Sequence, residues 1–540
     1  MRWKSRMQPP LDAPLPLWMI FPVIFAALYA SHFTLLRLPY YWDEAGYYIP
    51  AAWDFFRTGS LIPITTLTNA HPPLPSIYLA LWWKLSGFYP EVTREAVLMV
   101  AALGLLAVWR LAMRLVGVPA VAIWTVILTG LYPIWFAQST LAHADIFAAA
   151  CTLWGLVYAL PDHDRKPWAA ALWFAAAALC KETAIVIPLA LAFVCLLTSI
   201  HVHPRARFRL WREAAWLTGC VLPLAGWYAW HYAKTGFLFG NPEFLRYNAQ
   251  ANLEPLRLLA AFGHRVLHLT AHMNLFVPVL LTVAALLLKP RPEAEGRARI
   301  GASALWCILY LLVVNAVFFS VLGGALLCRY LLPMYPLLLL VAVTTFYRRV
   351  PYWQGLALFS AVAFLAGLFI NPPYGFAPED NLAYAHVIRL HEAGINQLNK
   401  QFPGSTVLSA WPMTDELRRP ELGYLKQPYD VYALEDFTSA QIDRAAAEPE
   451  KYSAALVFST KYDPQSPLFT LGAKSQALDE RYFGLHHDLP PEAIAIQLHG
   501  ALVWKKEDQG QWVALIRFNR QFETRLDRGG DSLLAVNRGM

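Results

Sequence analysis

The sequence predicts a polytopic α-helical membrane protein of about eleven transmembrane helices, with a C-terminal extracytoplasmic α/β domain. Three observations predict it. The 540 residues are 57% hydrophobic and only 15% charged, with a mean hydropathy of +0.37, a balance foreign to ordinary soluble domains. The apolar residues gather in runs close to the ~20 residues that a membrane crossing needs. At Asn371-Pro372-Pro373 the long runs stop, and short helical and strand patterns alternate afterwards.

Allowing for short or tilted helices, spans are expected at 15–36, 96–114, 118–137, 143–160, 167–181, 183–200, 214–232, 275–289, 300–320, 325–346 and 353–370. The first is too long, and its downstream flank too polar, for a cleaved signal peptide, so it is expected to be retained. The stretch 167–200 is long for one span and short for two. Both flanking loops look cytoplasmic, so two short helices meeting at Lys181-Glu182 satisfy the topology.

The net charge is +7 and the pI about 9.0, which could suggest a nucleic-acid partner. The distribution argues against one. Basic residues cluster in short inter-span segments: Arg2, Lys4 and Arg6; Arg110 and Arg114; Arg165 and Lys166; Arg205, Arg207, Arg209 and Arg212; Lys289, Arg291, Arg297 and Arg299; Arg348 and Arg349. With the amino terminus in the cytoplasm, every cluster falls on the cytoplasmic face, as the positive-inside rule requires. The last span then delivers the residues after Ile370 to the outside.

The cysteines (Cys151, Cys180, Cys195, Cys220, Cys307, Cys328) all lie in or at the ends of expected spans. They read as small buried apolar residues rather than a disulfide framework or a zinc cluster.

Two domains follow. Residues 1–370 form the membrane domain, with an outer loop at 37–95 whose segments Tyr47–Arg57 and Leu74–Phe88 read as aromatic-rich amphipathic helices at headgroup level. A second outer loop, 231–273, carries Lys234, Arg246, Arg257 and Arg265. Residues 371–540 form the α/β domain, with a helix at 379–401 and strands at Thr406–Ala410, Ala454–Ser459, Ala493–Leu498 and Trp512–Phe518. It has no glycine-rich nucleotide loop.

The polar residues at span ends carry the chemistry. Asp43 and Glu44 follow the first span in the run Tyr40-Tyr41-Trp42-Asp43-Glu44, and Asn69-Ala70-His71-Pro72-Pro73-Leu74 comes later in that loop. Asp145 begins the fourth span after the turn Gln138-Ser139-Thr140. Lys181 and Glu182 fill the turn between the fifth and sixth spans, and Arg329 and Tyr330 follow the turn Gly323-Gly324. All fall on the outer face. Each also has a plain structural role open to it. His71 can cap a loop and Asp145 a helix, Lys181 or Arg329 can snorkel, and Glu182 can neutralise Lys181. As a set they suit transfer from a lipid-linked phosphate: a carboxylate takes the acceptor's proton, and fixed cations hold the departing phosphate.

The pattern resembles the C-type glycosyltransferases, closest to the protein O-mannosyltransferase and aminoarabinose lipid A transferase families. Trp42-Asp43-Glu44 resembles their first-loop acidic motif, and His71-Pro72-Pro73-Leu74 the mannosyltransferase His-Pro-Pro-Leu. Ala142-His143-Ala144-Asp145, Cys180-Lys181-Glu182 and Arg329-Tyr330-Leu331-Leu332-Pro333 resemble segments of the lipid A enzymes. The resemblance covers residues 15–370. It implies a membrane glycosyltransferase that uses a polyprenyl-phosphate sugar, with mannose or another hexose or pentose as cargo. It further implies Asp43 as catalytic base, Glu44 as an aid in positioning acceptor or donor, and His71, Asp145, Lys181, Arg329 and Tyr330 around the donor phosphate. Some relatives use a divalent metal, for which Asp43 and Asp145 are the candidate ligands. Two departures stand out. The mannosyltransferases continue with Gly-Lys where this chain has Pro75-Ser76, and the lipid A enzymes place Lys at the position of His71.

Inverting transfer is the expected chemistry, since the chain offers one outer base candidate among cations rather than a separate nucleophile and acid. The competing class is a transporter or flippase of lipid-linked sugars, because intramembrane charges also mark substrate pathways. The acceptor stays open among protein, lipid A, glycan and other lipid. Short loops and the lack of eukaryotic retention signals favour a bacterial inner membrane.

Overall fold

The structure, a computed structural model, describes residues 16–68, 71–160, 165–240, 253–289, 296–322, 324–462, 473–483 and 487–518. The basic cluster Arg2, Lys4, Arg6, and also Asn69, Ala70, Arg246, Arg291 and Gly323, lie outside the described residues. The chain divides into two compact units. One comprises Met1–Arg37, Thr68–Gly323 and Cys328–Ala366; the other comprises Leu38–Leu67, Gly324–Leu327 and Gly367–Met540.

The first unit is helical. Helices stand at each expected run, among them Leu17–His32, Pro90–Leu115, Ala144–Ala159, Pro167–Cys180, Val186–Ser199, Ala302–Val321, Met334–Arg349 and Trp353–Phe369. Several start on a proline at the first or second position, where its missing N–H costs nothing. Ala302–Val321 is apolar on every side: Trp306, Val313 and Val317 face outward while Ile308, Leu311 and Ala316 are buried. That is the signature of a helix solvated by lipid.

The expected count of about eleven spans is not what the helices show individually. Among the described residues, four are long and apolar enough to cross a membrane: Leu17–Leu35, Pro90–Leu115, Glu182–Ser199 and Ala302–Val321. A fifth is reached if Pro255–Asn274 and Phe276–Leu287, bent by 99°, count as one span. Others are apolar but short, such as Pro119–Leu131, Ala144–Ala159 and Pro167–Cys180. Prolines cut the runs. Tyr132, held extended (φ −60, ψ 123) ahead of Pro133, ends the helix Pro119–Leu131, because a residue before proline avoids the helical region. Thirteen residues rise only about 20 Å against a hydrocarbon core of about 30 Å. The run expected at 214–232 is likewise two helices, Pro204–Gly219 and Leu222–Thr235. Pro223 cannot continue the ladder and would press on the carbonyl of Gly219. The chain is a multi-pass membrane protein with fewer full-length spans than its apolar runs suggested.

The second unit is built on a five-stranded sheet. Its strands are β1 (Val407–Ala410), β2 (Val431–Leu434), β3 (Ala454–Phe458), β4 (Ala501–Asp508) and β5 (Gln511–Arg517), in the order β2-β1-β3-β5-β4. β1 is parallel to β2 and β3, with Val407 opposite Val431 and Ala454. β5 runs antiparallel to β3 and β4. β1 and β3 are buried throughout, as strands covered on both faces must be. The helix Ala383–Gln401 lays Val387, Ile388, Ile395 and Leu398 into the core.

The expected helix at 379–401 and strands at 406–410, 454–459 and 512–518 thus match closely. The strand expected at Ala493–Leu498 is instead the helix Pro491–Gln497. Its alternation of Ala and Ile imitates a strand, but Pro491 at the first position and Glu492 in the first turn favour a helix start. β2 and β4 were not foreseen. β4 pairs with β5 through a hairpin whose tip, Gln509 (φ 48) and Gly510 (φ 80), is left-handed at both positions, the geometry that suits a two-residue turn.

Residues 38–67 fold within this unit. Asp54 in the helix Ile49–Thr58 accepts the backbone N–H groups of Ile64 (2.7 Å) and Thr65 (2.8 Å) through one carboxylate oxygen. Gly394 touches β5: a Cβ there would lie 2.7 Å from Val513 and 3.2 Å from Leu456. Gly394→Ala is expected to lower the melting temperature of the domain, since overpacking costs about 1–3 kcal/mol. An unchanged unfolding profile by calorimetry would contradict that packing.

Candidate active site

Three separate segments meet in the first unit. The helix Ala144–Ala159 opens after His143 and carries Asp145 in its first turn. The preceding turn is fastened by Arg94, fully buried, whose guanidinium donates to the Thr140 carbonyl at 2.7 Å. Lys181 sits extended (φ −149, ψ 124) where the helix Pro167–Cys180 ends and the short turn Glu182–Ile185 begins. Arg329 and Tyr330 lie on the single turn Cys328–Leu331, braced by the Tyr335 hydroxyl, which donates to the Cys328 carbonyl at 3.0 Å.

Asp145 is the meeting point. Lys181 Nζ donates to its Oδ1 at 2.6 Å, and Arg329 Nε stands 3.2 Å from its Oδ2. The second contact is an ion pair without hydrogen-bond alignment. Lys181 Nζ lies 4.0 Å from the centroid of the Tyr330 ring. The guanidinium carbons of Arg265 and Arg329 lie 5.7 Å and 6.0 Å from the same centroid. Phe319 stacks on Tyr330 at 5.6 Å. Asp145, Lys181, Arg265 and Arg329 are all buried.

Three buried cations therefore lie beside one ring, and two of them, Lys181 and Arg329, share one carboxylate. Like charges gathered beside one buried ring repel one another. Aromatic faces and Asp145 offset part of this. A phosphate oxygen would offset more, and its charge-assisted hydrogen bonds are strongest where water is scarce.

Glu182, expected to neutralise Lys181, takes another partner: its Oε2 lies 3.0 Å from His71 Nδ1. His71 and Glu182 thus form a pair one residue along from Lys181. Both Asp145 oxygens face cations of the chain. That arrangement does not fit a carboxylate waiting for a divalent metal, and no metal enters the chemistry proposed for this protein.

Asp43 and Glu44 belong to the other unit. Glu44 is fully buried, and its Oε2 accepts the N–H of Tyr41 at 2.9 Å. Asp43 is half-buried at the start of the π-helical turn Glu44–Tyr48, a wide turn common at functional sites.

Sequence reasoning passed over two contributors. Arg265 had been placed only in an outer loop, and Arg94 was not singled out. Each is a fully buried cation, but each sits on a helix with other charged residues, so only the apolar residues around it offered a signal.

Residues 70–230 match the family model for dolichyl-phosphate-mannose-protein mannosyltransferases, less than a third of the chain. No curated protein matches. The solved structure of ArnT from Cupriavidus metallidurans in the apo state superposes with a TM-score of 0.52 at 15% identity, covering 93% of this chain and 98% of that one. The same protein bound to undecaprenyl phosphate gives 0.53 at 14%, covering 92% and 98%. Near-complete coverage in both directions decides the fold. The chain has the C-type glycosyltransferase fold. Within this C-type glycosyltransferase fold, His71, Asp145 and Lys181 lie inside the family-matched segment, whereas Asp43, Glu44, Arg329 and Tyr330 lie outside it.

Proposed function

We propose that the chain is a membrane glycosyltransferase that moves a sugar from a polyprenyl-phosphate donor to an acceptor hydroxyl at the outer face of a bacterial inner membrane, with inversion. The observation that carries this reading is the cluster of Lys181, Arg329 and Arg265 around Tyr330, with Asp145 shared by Lys181 and Arg329. Such a cluster is costly to keep in a membrane protein unless an anion visits it. The similarly folded Cupriavidus metallidurans protein, solved with undecaprenyl phosphate, supports a lipid phosphate as that anion.

The acceptor oxygen attacks the anomeric carbon, and the bond from that carbon to the phosphate oxygen breaks. The electron pair leaves with the polyprenyl phosphate, whose growing charge Lys181 and Arg329 stabilise. Asp43 takes the acceptor's proton. Mannose leads among sugars through the resemblance of His71-Pro72-Pro73-Leu74, with other hexoses and pentoses behind it. Protein, lipid A, glycan and other lipids are the acceptor classes.

The test uses purified protein in vesicles with undecaprenyl-phosphate mannose, or undecaprenyl-phosphate aminoarabinose, labelled in the sugar. Lipid, glycan and protein fractions of the membrane serve as acceptors. Label should move to one fraction as undecaprenyl phosphate is released, with the anomeric configuration reversed by NMR. Retained configuration rules out a single displacement. Movement of intact donor between leaflets, without cleavage, favours the transporter class.

A further inference from the structure

The turn that bears Asp43 is shaped by the α/β fold, through a contact across 369 positions of sequence (411 − 42). Trp42 has φ +48, the left-handed region, which a bulky residue occupies only when its surroundings over-determine it. Its ring meets Trp411 edge-on, with centroids 5.0 Å apart and planes at 73°. The Trp411 indole also covers Gly46, where a Cβ would lie 2.6 Å from Nε1 and 2.9 Å from Cζ2. Glycine is what lets the indole approach so closely. The Gly46 N–H closes the turn on the Trp42 carbonyl at 2.9 Å. One side chain thus lies against both ends of the turn whose second residue is Asp43.

Trp411 is anchored through its backbone. It follows the last residue of β1, and the Pro412 carbonyl behind it accepts the N–H groups of Asp415 and Glu416. In the helix that follows, Asp415 pairs with Arg419 at 3.3 Å. Glu416 Oε2 lies 2.8 Å from His391 Nδ1, both side chains buried. The flanks are tied as well. Arg419 donates to the Thr65 carbonyl at 2.7 Å, the Tyr424 hydroxyl to the Tyr40 carbonyl at 3.0 Å, and the Tyr40 N–H to the Leu422 carbonyl at 3.2 Å. The carboxyl end of β1, with β2 on one side and β3 on the other, is where open α/β sheets present functional residues.

We propose that Trp411 is a positioning residue for Asp43, and that the α/β fold uses the carboxyl end of β1 to fix the acid-bearing turn. This rests on Asp43 being the base. The test compares Trp411→Ala, Trp411→Phe and Gly46→Ala in the full chain, alone and with Asp43→Asn. Amide hydrogen exchange over residues 40–48 is followed alongside initial rates with undecaprenyl-phosphate mannose.

Trp411→Ala should raise exchange in that segment by about tenfold or more while β1 and β3 stay protected. It should lower kcat by about tenfold or more with the donor KM little changed, and cost nothing further beside Asp43→Asn. Gly46→Ala should act like Trp411→Ala, and Trp411→Phe should recover most of both readouts. Unchanged exchange at 40–48 overturns the proposal. So does a rate loss that repeats in full in the Asp43→Asn background. If Asp43→Asn alone keeps the full rate, the base assignment fails by itself, and the exchange result still decides whether Trp411 fixes the turn.

Discussion

Asp43→Asn should lower the transfer rate by about two to four orders of magnitude while leaving donor binding and folding near wild type. Asparagine keeps the shape of the side chain but cannot accept the acceptor's proton. Its neighbour should behave differently. Glu44 is buried and its carboxylate accepts the Tyr41 N–H, so Glu44→Gln keeps an acceptor oxygen in place and Glu44→Ala removes it. Rate measurements beside thermal melts separate the two residues. Loss of rate without loss of stability is the mark of Asp43, and loss of both is the mark of Glu44→Ala. A purified Asp43→Asn variant with the full transfer rate refutes the assignment.

The second large effect is expected at Asp145. Asp145→Asn leaves Lys181 and Arg329 without their shared carboxylate in a buried place. Removing one partner of a buried ion pair costs about 3–5 kcal/mol, which should appear as a lower melting temperature in detergent. Undecaprenyl phosphate in the micelle should then stabilise the variant more than the wild type, because its phosphate supplies the missing negative charge. Arg329→Lys should weaken donor binding despite the conserved charge, since a point charge does not replace a planar fork. An Asp145→Asn protein as stable as wild type would show that the carboxylate does not hold the cations together.

Much of this was readable in the residues. Apolar runs found helices at every expected position, and a cation or acid interrupting such a run marked Asp145, Lys181 and Arg329. Burial of charge beside lipid is expensive, so those residues stand out without any coordinates. Pairing was harder. Adjacency suggested Lys181 with Glu182, but their side chains leave the chain differently at the helix end, one to Asp145 and the other to His71. Span count failed where prolines divided a continuous apolar run, because hydropathy registers composition and not the broken ladder. In the α/β fold, Pro-Glu-Ala-Ile-Ala-Ile alternates like a strand yet starts like a helix, and the start prevailed. The Trp42–Trp411 contact has no local signature at all.

The short helices carry a last implication. Pro119–Leu131 and Pro167–Cys180 do not reach across an average hydrocarbon slab, and a short apolar stretch beside lipid is accommodated by local thinning of the bilayer. A thinned leaflet brings headgroups deeper beside such helices. Acyl-chain length in the surrounding bilayer thereby becomes a parameter of how this fold is seated among lipids.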